Sequence, residues 1–187
     1  MFKDNDIDYE KLDNLFESNK ENVYFFSVES LETIDDPEGE HLFFQNVLNK
    51  NITREDFIFA ENKITALLEY LFIKSDKVYC FSEVGQENEK FQKLHYVKKS
   101  KDAQIYFNCI LNDIDMCVEI NDINALKGFT IIGDRDIGYV CFYFENLNIA
   151  VMVDDCQGLI YFKDLENAKE FLDAAKRIGL ETEKWKY

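Results

Sequence analysis

The sequence predicts an α+β fold: N-terminal helices, an antiparallel β-meander, and a C-terminal helix packed on one face of the sheet. Three observations carry this reading. Apolar residues recur at helical spacing up to about residue 75 and again over about 164–178. Between them, over about 76–163, the period falls to two. Strands and helices do not alternate regularly, as a parallel βαβ sheet would require. With 187 residues, 47% of them hydrophobic and 15% aromatic, the chain has material for one ordinary core, so residues 1–187 are read as a single domain.

In the first segment, Asp6 and Asp8 precede Tyr9, Leu12, Leu15 and Phe16, an amphipathic pattern with acids at its N-terminal end. The run Val23-Tyr24-Phe25-Phe26-Ser27-Val28 is short and rich in β-formers, and reads as a buried strand. Thr33 to Glu40, with Pro37 and Gly39 among charges, reads as an exposed loop. Leu42, Phe43, Phe44, Val47 and Leu48 suit a short helix. Thr53 is the expected N-cap of the next helix. Its apolar face is Phe57, Ala60, Ile64, Leu67, Leu68 and Leu71, and its end falls near Ile73. An alternative gives Phe57-Ile58-Phe59 to a brief strand or turn and starts the helix near Glu61.

From Lys77 onward the expected strands are Val78 to Phe81, Leu94 to Val97, Ile105 to Ile110 and Met116 to Ile120. Tyr139 to Phe144 and Ile149 to Val153, joined by the polar Glu145-Asn146-Leu147-Asn148, predict a hairpin. Asp154 to Gly158 then turns the chain into Leu159 to Phe162, making a three-stranded meander. The last helix has Asp164 as N-cap, Leu165, Ala168, Phe171, Leu172, Ala175 and Ile178 as its face, and Gly179 as its stop.

Charge is the strongest global signal. There are 37 acids against 21 bases, a formal net charge of −16, and the sequence pI is near 4.5. Such a surface repels phosphate backbones and anionic lipid headgroups, which argues against direct nucleic-acid or membrane binding, and it attracts basic proteins. Residues 1–40 hold thirteen of the acids and three lysines. Asp4, Asp6, Asp8, Asp35, Asp36, Glu38 and Glu40 are therefore the candidate partner-binding residues. Lys90, Lys93, Lys98, Lys99 and Lys101 form the one basic concentration and read as a solvated edge strand or loop.

The residues offer little for catalysis. Five cysteines, Cys80, Cys109, Cys117, Cys141 and Cys156, are odd in number and lie mostly in strand-like stretches, as expected of buried free thiols in a reducing, cytoplasmic setting. His41 and His95 are the only histidines, too few for a His-rich zinc site, and no phosphate-binding glycine loop occurs. No cofactor is expected. The sharpest enzymatic possibility is a Mg²⁺ site in which Asp113, Asp115 and Glu119 hold the ion together with substrate phosphates. Asp134/Asp136 and Asp154/Asp155 are read, with their neighbours, as solvated turn residues.

In overall character, acidic, small, aromatic-rich and without a catalytic signature, the chain resembles the bacterial immunity proteins that neutralise secreted or contact-delivered toxins. The resemblance implies a cytoplasmic, non-enzymatic inhibitor whose partner is a basic toxin domain or nuclease, bound so that its active site is blocked. Two other readings stand beside it: a carboxylate-dependent metal enzyme, and a regulatory module that mimics nucleic acid.

Overall fold

The computed structural model describes residues 16–17, 20–28, 53–82, 117–135 and 138–186. The expected helix over Leu42 to Leu48, the loop over Thr33 to Glu40 and the strands near residues 94–97 and 105–110 lie outside them. Of the first expected helix, Phe16 and Glu17 are described, and both are helical.

Seven strands form one sheet: β1 (Val23–Val28), β2 (Val78–Ser82), β3 (Cys117–Glu119), β4 (Val140–Phe144), β5 (Ile149–Asp154), β6 (Gln157–Phe162) and β7 (Leu180–Lys184). Their order is β3-β2-β4-β5-β6-β1-β7, and every neighbouring pair is antiparallel. The expected meander is the centre of this sheet, β4 to β6. Three helices are described with it: α1 (Arg54–Lys74), α2 (Ile123–Asp134) and α3 (Leu165–Ile178).

The helix α1 follows the sequence closely. Thr53 caps it, accepting a hydrogen bond from the Asp56 N–H at 3.1 Å, and the buried stripe is Phe57, Ala60, Glu61, Ile64, Leu67, Leu68 and Leu71. Phe57 to Phe59 are helical rather than extended. The cap of α3 has the same logic. The side chain of Asp164 accepts from the Glu166 N–H at 3.0 Å, and Gly179, at φ 85°, ends the helix in the left-handed region open to glycine.

The residues after β3, to which the sequence reading assigned no element, add a helix to the strand-rich half. Residues 123–134 are helical, capped by Asp122, whose side chain accepts from the Asn124 N–H at 2.9 Å. Gly128, Gly133 and the β-branched run Thr130-Ile131-Ile132 make this a poor helix by propensity. It forms because Ala125, Leu126, Phe129 and Ile132 then meet the core on one side, and burial outweighs a few tenths of a kcal/mol per residue of propensity. Nor does α3 end the folded chain. Leu180–Lys184, a mostly charged segment, pairs with β1 as an edge strand.

Alternation in each strand sends one set of side chains to each face. Phe26, Val28, Val78, Cys80, Phe142, Phe144, Val151, Ile160 and Phe162 belong to the main core with the apolar stripes of α1, α2 and α3. The opposite set, including Val23, Tyr79, Phe81, Cys141, Tyr143 and Tyr161, is buried as well, and Phe16 packs on Tyr161 with ring centroids 4.5 Å apart. Cys80, Cys117 and Cys141 are buried thiols on β2, β3 and β4, as their strand-like surroundings imply, and Cys156 is a buried thiol in the turn between β5 and β6; Cys109 lies outside the described residues.

Candidate functional site

None of the seven acids singled out as partner contacts, Asp4 to Asp8 and Asp35 to Glu40, lies within the described residues. Of the alternative metal set, Glu119 alone is described: it sits on β3 opposite Tyr79, half-buried, while Asp113 and Asp115 fall outside. Among the described residues no three His, Cys, Asp or Glu side chains are grouped so as to hold a metal ion. No described helix is long and apolar enough to cross a membrane.

Two arrangements stand out instead. The first is a buried ionic cluster where α1, the end of α2 and the β5–β6 turn meet. Arg135 donates from Nε to Glu61 Oε2 at 2.7 Å and from Nη2 to Glu61 Oε1 at 2.9 Å, with both residues 6% exposed. This forked geometry is the strongest form of carboxylate recognition available to a side chain. Beside it Asp134 is fully buried, and neither carboxyl oxygen has a hydrogen-bond partner. Burial pushes its carboxyl well above the usual carboxylate range. Glu61, Asp155 and Asp154 add to that effect, and Arg135 opposes it. The sequence reading of Gly133 to Asp136 as a solvated turn is thus corrected at Asp134 and Arg135, both of which are interior.

The cluster is held from the sheet side by the turn between β5 and β6. Asp155 and Cys156 both have positive φ, 47° and 62°, the conformation of a two-residue hairpin turn whose twist matches the flanking strands. The Asp155 N–H donates to the Gly133 carbonyl at 3.0 Å, and the Cys156 thiol lies 3.8 Å from the Asp134 carbonyl. A Cβ on Gly133 would come within 2.7 Å of the Val153 carbonyl, so only glycine lets α2 approach β5 this closely. Glu61, Asp134, Arg135 and Asp155 are all buried, and their contacts tie α2 to α1 and to the sheet.

The second arrangement is open to solvent. A cavity of about 600 Å³ runs beside β7 and is lined by Phe25 and Ser27 of β1, by Leu172, Asp173 and Lys176 of α3, and by residues 179–183. Asp173, Glu181 and Glu183 give it three carboxylates against the ammonium of Lys176. Phe25 and Trp185 stand with ring centroids 6.0 Å apart, and Trp185 is 40% exposed. Lys63 of α1 reaches across to donate to the Gly179 carbonyl at 2.9 Å, which anchors the turn from α3 into β7.

Sequence reasoning missed both places. For the first a signal existed: Glu61 falls four residues after Phe57 and three before Ile64, inside the apolar stripe, and a charge at such a position requires a partner. For the second there was none, because the cavity exists only once β7 has paired with β1. No protein-family model, no curated protein and no solved structure matches the chain.

Proposed function

We propose that the chain is an acidic binding protein, an immunity-type inhibitor that works in the cytoplasm by covering the active site of a basic toxin or nuclease. The formal net charge of −16 carries this reading, and more than half of it resides outside the described residues, where the acids of residues 1–40 are concentrated. A field of that size accelerates encounter with a cationic protein and discourages anionic ligands.

The test is association with the product of a neighbouring toxin reading frame. The association rate is expected to fall as salt is raised through physiological ionic strength, because exposed charges act mainly on encounter and are screened over about 8–10 Å. The combined variant Asp35→Asn, Asp36→Asn, Glu38→Gln and Glu40→Gln is expected to reproduce that slowing in low salt. An unchanged rate in this variant would place the docking face elsewhere, and the absence of any binding would remove the inhibitor reading.

A further inference from the structure

We propose that the joint between the end of α2 and the β5–β6 turn is a proton-operated latch. It stays shut while the Asp134 side chain carries its proton, and it opens locally, with the rest of the sheet in place, when that proton leaves.

The joint is a small piece of the fold. Its helix side is Gly133, Asp134 and Arg135, the end of α2 and its C-cap, and its sheet side is Asp154, Asp155 and Cys156. The hydrogen bond from the Asp155 N–H to the Gly133 carbonyl, 3.0 Å long, spans the two. Asp134 has no exposed surface, and neither carboxyl oxygen has a hydrogen-bond partner, although buried polar groups almost always have one. Among the described residues, the charged and titratable groups that face it are Glu61 from α1, Arg135 beside it, and Asp154, Asp155 and Cys156 from the sheet side. Three of these are acids, and the guanidinium is already forked onto Glu61 at 2.7 and 2.9 Å. Ionisation therefore sets a further negative charge among carboxylates, without water and without a donor of its own.

Both sides of the joint yield readily. Asp155 and Cys156 hold φ of 47° and 62°, a strained conformation for residues that carry a Cβ. On the other side, the glycine and β-branched residues of α2 give it weak intrinsic helicity. Leu126, Phe129 and Ile132 keep the body of α2 in the core, which confines the opening to its last turn.

The direction of the switch follows from proton binding. The shut joint keeps a proton that the open joint, where the carboxyl meets water, releases above the ordinary carboxylate value. The opening equilibrium is flat below that value and rises up to about tenfold per pH unit above it. It levels off once Asp134 ionises in the shut form as well. Acid tightens the latch, and a rise in pH loosens it.

The experiment is amide hydrogen exchange on the full chain, which registers openings too rare to change the average structure. It is read at the Asp155 N–H from about pH 3 to about pH 8, with the intrinsic pH dependence of exchange divided out. Protection there is expected to fall by at least about tenfold over the rising part of the profile in the wild type. In Asp134→Asn, which has no proton to lose at this position, it is expected to change little with pH. Sub-denaturing urea separates a local opening from unfolding of the whole domain, because a local opening exposes little surface. Urea should barely alter protection at Asp155, and it should lower protection at Phe142, a fully buried residue of β4 with β2 and β5 on either side. A flat wild-type profile, or an equal fall in Asp134→Asn, would overturn the proposal by removing Asp134 from control of the joint. An Asp155 amide that follows urea as steeply as that of Phe142 would overturn it too, since the joint would then open only with the domain. The urea comparison is made on the wild type, so it decides the case even if the variant does not fold.

Discussion

Arg135 and Glu61, separated by 74 positions in the chain, meet through two hydrogen bonds of 2.7 and 2.9 Å in the interior, tying the residue that follows α2 to the buried stripe of α1. Desolvating both charges is expensive, and the pair makes sense only as a unit. The guanidinium also lies 5.8 Å from the centre of the Phe57 ring, so the ion pair is packed as well as bonded.

Breaking this pair from one side is expected to destabilise the protein strongly. Glu61→Leu or Arg135→Met alone leaves a buried charge and should cost about 3–5 kcal/mol in urea unfolding. The double variant should cost far less than the sum, since both charges leave together. Additive losses would show that the two residues act independently.

Asp134 makes stability depend on pH with a definite sign. Burial holds its folded-state pKa above the ordinary carboxylate value, so the folded protein keeps a proton that the unfolded chain releases. The stability this contributes is complete below the ordinary value and is lost as pH rises through the raised one. Asp134→Asn is expected to be more stable than the wild type near neutral pH by at least ~1 kcal/mol, because each tenfold change in proton affinity corresponds to ~1.4 kcal/mol. The advantage should shrink as pH falls and vanish below the ordinary carboxylate value, where the native side chain is neutral in both the folded and the unfolded chain. Parallel stability profiles for the two proteins across this range would contradict the assignment.

The buried thiols should be inert in the folded protein. Burial pushes the Cys141 thiol up to about 12 and raises those of Cys80 and Cys156 well above the ordinary value. The reactive thiolate is therefore scarce. Mass-spectrometric mapping after iodoacetamide treatment at mildly alkaline pH should find these three unmodified until denaturant is added. Modification of any of them in the native state would indicate an opening that exposes the sheet.

The two helix caps offer a quantitative check on the local reading. Thr53→Ala and Asp164→Ala each remove a side-chain acceptor for an orphan N–H at a helix start and should each cost about 0.5–2 kcal/mol. The caps belong to different helices, so the losses should add. Thermal or urea unfolding of the two single variants and the double measures this directly.

The amino-acid sequence by itself determined the elements whose signals are local. Thr53 and Asp164 are caps whatever the rest of the chain does, Gly179 ends its helix because few other residues accept φ 85°, and the β4–β5 hairpin follows from two β-rich runs about a short polar turn. Only the tertiary structure decided the rest. Residues 123–134 become helical against weak propensity because the core rewards the buried face of α2. Leu180–Lys184 becomes a strand because β1, some 155 residues earlier, presents an edge to it. The ionic cluster and the groove depend on those two decisions: Arg135 reaches Glu61 from the end of α2, and the acids of β7 line a cavity through their pairing with β1. Long-range pairing of this kind leaves no periodicity in the chain, since each partner's sequence is compatible with other neighbours until the sheet is assembled.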